Sequence, residues 1–193
     1  MRELFDDIRR WRKEGQRVAL ATVIETWGSA PRRPGAKMAI CADGGFVGSV
    51  SGGCVEGAVA EAGLETIRSG QPQLLLFGVA DELAWEVGLA CGGEVQVFVE
   101  RVEDERLAAV EQWASEERSA VAITVVAGPE EALGRWMLVD GQGGLQGNLE
   151  LTSNNEIRKS AGESLRDGAP RRVRLAETGF DLFVEPLLPR RPW

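Results

Sequence analysis

The sequence predicts an α/β fold: a mixed sheet flanked by helices, with β-hairpins. Three observations carry this. Short apolar runs bounded by Gly, Pro and Asp recur along the 193 residues and read as strands. Segments with apolar residues on one helical face stand between them. Several strand pairs are separated only by glycine-rich turns, which join strands as hairpins.

Taken in order, residues 2–13 place Leu4, Phe5, Ile8 and Trp11 on one helical face. Residues 17–25 read as a largely buried strand. The stretch WGSAPRRPGA follows, and its prolines and glycines exclude regular structure. Residues 37–42 and 46–50 are two strands around the turn Asp43-Gly44-Gly45. A helix runs from Cys54 to about Ser69, and Gly70 and Pro72 end it. Residues 73–79 form a strand, 82–87 a short helical piece, and 94–102 an alternating strand. Then come a helix over 104–117, a strand over 120–127, a glycine-rich hairpin over 135–149, a helix over 155–166, and strands near 171–176 and 180–185. No internal repeat of fixed period is visible. The organisation expected is one domain over 1–186, with two lobes meeting near 103 and a tail over 187–193.

Composition narrows the function. Apolar residues make up 44% and charged residues 27%, as in ordinary globular proteins. The net charge of -8 argues against sequence-independent binding to nucleic acid, which needs a basic face. No histidine occurs, so Ser-His-Asp and Cys-His nucleophile systems are excluded, as is the commonest metal ligand. Residues 1–11 do not resemble a signal peptide, and no apolar run approaches the roughly 20 residues of a membrane span. The expectation is a cytoplasmic protein with reduced thiols.

The cysteines are Cys41, Cys54 and Cys91. They form no CxxC, so neither a zinc knuckle nor a redox pair is supported. Cys41 alternates with Met38 and Ile40 and reads as a structural strand residue. Cys54 lies in Ser49-Val50-Ser51-Gly52-Gly53-Cys54-Val55-Glu56, where a strand passes through two glycines into a helix. Glycines there admit a tight turn with N–H groups aimed at a ligand, and a helix start suits an anion. A thiol so placed ionises more easily and becomes a soft-metal ligand. Glu56 is a further candidate, or a helix cap reaching back. Cys91 lies in a second such loop, Gly88-Leu89-Ala90-Cys91-Gly92-Gly93. The third signal is Arg32, Arg33 and Lys37, three cations with no acid between Glu25 and Asp43. Each signal also has a plain structural reading: a buried cysteine, a tight connection, a solvated loop. Trp27 and Trp85 are read first as core packing, with pocket lining as the alternative.

Together these segments resemble the XdhC/CoxI family. The resemblance rests on TVIETWGSAPRRPGAKMAI at 22–40, GGFVGSVSGGCVEGAV at 44–59, GLACGGEVQVFVE at 88–100 and FVEP at 183–186. It implies an accessory factor for xanthine dehydrogenase. Such a factor binds molybdenum cofactor (molybdopterin), shields it, aids its sulfuration with a cysteine desulfurase, and helps insert it into the molybdenum hydroxylase apo-enzyme. By the resemblance, Cys54 and Cys91 match the family's cysteines and would be molybdenum ligands. Ser51, Gly52, Gly53, Glu56, Gly92, Gly93, Arg32, Arg33 and Lys37 would complete the cofactor site, with the phosphate at the helix start or on the cationic loop. Typical members continue past FVEP into a Rossmann-like domain, here expected on a separate polypeptide or dispensed with. A homodimer is the base-rate oligomer. No nucleic acid or membrane partner is expected. The competing functions are a thiol-dependent sulfur-transfer enzyme using Cys54 and a non-catalytic interaction domain.

Overall fold

The structure is a computed structural model describing residues 2–78, 93–116, 118–141, 144–149 and 155–189. The chain divides into two compact units, Met1–Val102 and Glu103–Trp193.

In the first unit a 3-10 turn at Arg2–Leu4 leads into helix α1 (Phe5–Lys13). Strands β1 (Val18–Trp27), β2 (Lys37–Cys41) and β3 (Phe46–Gly48) follow, then helix α2 (Glu56–Ser69) and strands β4 (Gln73–Phe77) and β5 (Glu94–Arg101). The sheet order is β3-β2-β1-β5-β4, and every pairing is antiparallel. Alternation along the strands turns Ala19, Ala21, Val23, Met38, Ile40, Val95, Val97 and Val99 to one face. There they meet Val55, Val59 and Ile67 of the α2 region. Gly63 lets α2 approach closely, since a Cβ there would stand 3.0 Å from the Ile40 Cδ1. α2 stops at Gly70, a left-handed cap with φ 77° whose N–H donates to the Thr66 carbonyl.

The second unit comprises helix α3 (Asp104–Ser115), strands β6 (Ala120–Ala127), β7 (Trp136–Asp140) and β8 (Leu145–Gly147), helix α4 (Asn155–Asp167) and strands β9 (Arg171–Leu175) and β10 (Phe180–Leu187). A 3-10 turn at Glu130–Ala132 precedes β7. Its sheet order is β8-β7-β6-β10-β9, again antiparallel throughout. α4 contributes Ile157 to a core with Val121, Ile123, Val125, Met137, Val173, Leu175, Leu182 and Val184.

The second unit thus repeats the first, α-helix for α-helix and strand for strand, in the same sheet order. The repetition extends to single bonds. The Val23 and Val125 amides donate to the Ala36 and Arg135 carbonyls, and the Ser49 and Asn148 amides to the Lys37 and Trp136 carbonyls. Thr22 pairs with Phe98 as Thr124 pairs with Phe183. The repeat is not visible in the sequence because the shared identities are sparse: Trp11/Trp113, Thr22/Thr124, Val23/Val125, Met38/Met137, Gly48/Gly147 and Phe98-Val99-Glu100/Phe183-Val184-Glu185. Connections of unequal length also shift the spacing. The predicted α/β class, with flanking helices and hairpins, holds, and the strands divide into two sheets. The helical piece expected at 82–87 lies outside the described residues.

Candidate functional site

Antiparallel pairing gathers three connections at one end of the first sheet. β1 ends at Trp27 opposite Glu94, where β5 begins, and Phe77 at the end of β4 pairs with Val95. Met38 near the start of β2 pairs with Gly48 at the end of β3. The segments 28–36 and 49–55 therefore leave the sheet at this end, and Gly78 and Gly93, which flank the third segment singled out by sequence, lie there too.

Two contacts bring them together. A Cβ on Gly52 would lie 3.7 Å from the Pro31 Cβ, so the glycine turn rests on the loop that carries Arg32 and Arg33. A Cβ on Gly93 would lie 2.7 Å from the Ala30 nitrogen and 2.9 Å from the Trp27 carbonyl oxygen. Gly93 is thus pressed against the backbone of the same loop, where only a glycine fits. Gly52, Gly53 and Cys54 are exposed, as are Arg32 and Arg33. Cys91 and Gly92 lie outside the described residues.

The turn before α2 is organised around Glu56. Its Oε1 accepts hydrogen bonds from the Ser49 hydroxyl (2.7 Å) and from the amides of Val50 (3.1 Å), Ser51 (2.9 Å) and Gly52 (3.1 Å). Its Oε2 accepts from the Ser51 hydroxyl (2.5 Å) and the Gly53 amide (2.8 Å). The Ser51 Oγ in turn accepts from the Val55 amide at 3.0 Å. Gly52 and Gly53, with φ 83° and 122°, supply the turn that points these amides inward. Burial of Glu56, which is 7% exposed, raises its pKa. The hydroxyls of Ser51 and Ser49 and the backbone amides outweigh that and hold it down at about 2.

This corrects one expectation. The amides of Ser51, Gly52 and Gly53 do not face an open anion site, because an internal carboxylate fills it. Lys37 is positioned by its strand. Its Nζ donates to the Thr22 Oγ1 at 3.1 Å. Thr22 and Lys37 pair across β1 and β2, out of phase with the residues that face α2. Lys37 therefore stands on the sheet face opposite α2. Cys41 is buried, as its strand position implied. Burial, then its hydrogen bond to the Asp43 carboxylate at 2.5 Å, raises its thiol pKa. Trp27, expected in core packing, is 43% exposed at the end of β1. Among the described residues no group of three or more acidic, cysteine or histidine side chains is placed to hold a metal ion. No described helix is long and apolar enough to cross a membrane.

The chemistry available here is that of an accessible thiol beside an arginine loop, mounted on a turn locked from within. A soft ligand and two fork-shaped anion donors suit a metal carried by a phosphorylated organic ligand.

The chain is similar to several known proteins. The model of the XdhC and CoxI family matches residues 11–78. The molybdenum cofactor insertion chaperone PaoD of Escherichia coli is 35% identical over 88 residues, covering 46% of this chain and 27% of that protein. A probable xanthine dehydrogenase subunit of Bacillus subtilis is 31% identical over 97 residues, covering 49% and 29%. The uncharacterized protein YqeB of Escherichia coli is 33% identical over 96 residues, covering 50% and 18%. The matches thus cover less than a third of the length of each of these relatives. A crystal structure of a xanthine dehydrogenase from Bacillus halodurans has the same fold, with a TM-score of 0.71 at 21% identity, covering 97% of this chain and 53% of that one. The stretch that matches the XdhC and CoxI family model, residues 11–78, lies in the first unit and holds the arginine loop and the Cys54 turn.

Proposed function

We propose that this chain binds molybdenum cofactor and serves in the maturation of a xanthine dehydrogenase-type molybdenum hydroxylase. The observation that carries the reading is the seating of the Cys54 turn on the Arg32/Arg33 loop through Gly52 and Pro31. Cys54 would ligate the molybdenum as a thiolate. Cys91 is the second proposed thiol, in the loop whose last residue, Gly93, is packed against Trp27–Ala30. Arg32 and Arg33 would hold the phosphate, a role the filled amide turn leaves to them. The cofactor is cargo in this reading: held, shielded from water and oxidant, presented to a cysteine desulfurase for sulfuration, and passed to the apo-hydroxylase in the cytoplasm.

The internal repeat supports this assignment by contrast. The backbone bonds that match Gly35 to Gly134 and Arg33 to Ala132 put Glu131 and Ala132 where the first unit has Arg32 and Arg33; α4 begins with Asn155 where α2 begins with Glu56, and the second unit's sequence contains no cysteine. One scaffold occurs twice, and only the first copy has the cations and the thiol. A shared folding requirement would keep them in both.

The test is incubation with purified molybdenum cofactor, desalting, and measurement of bound molybdenum and pterin absorbance. Stoichiometric retention by the natural chain, lost in Cys54→Ser/Cys91→Ser, is the expected result. Equal retention by both proteins removes the thiol mechanism.

A further inference from the structure

We propose that Glu56 is a positioning residue rather than a cofactor ligand: its carboxylate is a built-in anion that closes the Ser49–Gly53 turn and so fixes the backbone that presents the Cys54 thiol. The functional consequence rests on reading Cys54 as a cofactor ligand, whereas the geometric claim does not.

Consecutive backbone N–H groups converging on one point form an anion receptor. Here the amides of Val50, Ser51, Gly52 and Gly53 converge, and the hydroxyls of Ser49 and Ser51 join them. One carboxylate receives all of these bonds. An ionised carboxylate offers about four lone-pair sites, so it is saturated and has no capacity left for a ligand. The turn is equally occupied, since its inward amides have their partner. Glu56 is the first residue of α2, so the bonds fasten the turn to a helix packed on the sheet. The Val55 amide donates to the Ser51 Oγ, whose hydroxyl donates to Glu56, and this relay ties both sides of Cys54 to the same carboxylate. Cys54 is left exposed, next to this fastened backbone. Without the carboxylate, four aligned N–H dipoles would repel one another and the turn would open.

The experiment follows the Cys54 thiol in Glu56→Ala and Glu56→Gln, each with Cys91→Ser so that Cys54 is the thiol labelled. Iodoacetamide labelling is measured from pH 6 to 9, with amide hydrogen exchange of residues 50–53 and thermal melting alongside. Exchange of these amides is expected to speed up at least about tenfold, as a local opening predicts, and the labelling rate at a fixed pH to change by at least about threefold. Formate is expected to restore both in Glu56→Ala, because it re-supplies the anion. It is not expected to restore them in Glu56→Gln, whose amide fills the space. Folded variants with unchanged labelling would overturn the proposal even if their melting temperature fell, since that is what a purely structural glutamate gives. Should neither variant fold, NMR of the natural chain decides. The four amide shifts moving together with the Glu56 carboxyl as acid is added supports the inference, and their moving independently overturns it. If the natural chain fails to retain molybdenum cofactor while these thiol and exchange effects appear, the proposed function falls and the positioning role stands. If it retains cofactor while Glu56→Ala changes nothing, the reverse holds.

Discussion

Pro31 lies against Gly52, at a distance where a Cβ on the glycine would just touch the proline ring, 3.7 Å from its Cβ and 3.8 Å from its Cγ. Gly93 packs on the same loop through Trp27, Ser29 and Ala30. The Trp27–Pro31 stretch is thus held between the two glycine-bearing motifs, which are far apart in the chain. The two glycines are needed for different reasons: Gly93 lets backbone approach backbone, whereas Gly52 adopts a φ of 83° that side chains rarely take.

Gly93→Ala should separate these loops. Its Cβ would fall within 3.0 Å of two backbone atoms, the Ala30 nitrogen and the Trp27 oxygen, neither of which can rotate away. Overpacking of this kind costs about 1–3 kcal/mol. The expected outcome is a lower urea midpoint together with weaker retention of molybdenum cofactor. Loss of stability with retention unchanged would show that the clamp does not serve the site.

The repeat supplies a paired test of its own. Gly48 and Gly147 end β3 and β8 with φ of 85° and 131°, and a Cβ would lie 2.3 Å from the Lys37 oxygen or 2.4 Å from the Trp136 oxygen. Gly48→Ala and Gly147→Ala should therefore each destabilise, by about 2 kcal/mol or more given a positive φ plus a backbone clash. Chemical denaturation of the two variants checks this. Only Gly48→Ala, next to the Cys54 turn, should also change cofactor retention.

Much of this is legible in the sequence, and the misses have physical causes. Alternation of Ala19, Ala21 and Val23 against Met38 and Ile40 defines the strands and their buried face, and the glycine turns define the hairpins. The three signals of the site are readable as residue types with a known chemistry. What the motif SGGCVE does not reveal is where its amides point. A receptor for an external phosphate and one filled by its own Glu56 have the same letters, and only the six bonds to that carboxylate distinguish them. Proximity in the chain groups Lys37 with Arg32 and Arg33. Strand alternation, pairing it with Thr22, sends its side chain to the sheet face opposite α2. The repeat is hidden because packing preserves topology and a few positions such as Trp11/Trp113 while the remaining side chains diverge.

The arginine loop yields a charge prediction. Arg32→Ala/Arg33→Ala should weaken retention of the phosphorylated cofactor by roughly tenfold or more, since each charge-assisted bond contributes about 1.5–3 kcal/mol. Added salt should weaken binding to the natural chain more than to this variant. Lys37→Met should leave retention unchanged, because that ammonium is engaged with Thr22 on the opposite face. Equilibrium binding of the three proteins at low and high salt tests both statements.

Glu56 makes a prediction about acid. Its carboxyl is held at about 2 against an ordinary 4.5, a depression caused by donors that outweigh the effect of burial. A depressed folded-state pKa stabilises the fold above the unfolded value, and that contribution fades as pH falls towards the folded value. The contribution is therefore complete at pH 7, begins to fade near pH 5, and is gone only once the pH has fallen below about 2. Its size is on the order of 3 kcal/mol, from about 1.36 kcal/mol per pKa unit. Glu56→Gln resembles the protonated side chain, so its deficit against the natural chain should be largest at pH 7 and should shrink steadily between pH 5 and 2. Urea denaturation of both proteins at pH 7, 5, 4 and 3 measures that gap. A deficit that does not change with pH would mean that the shape of Glu56, not its charge, holds the turn together.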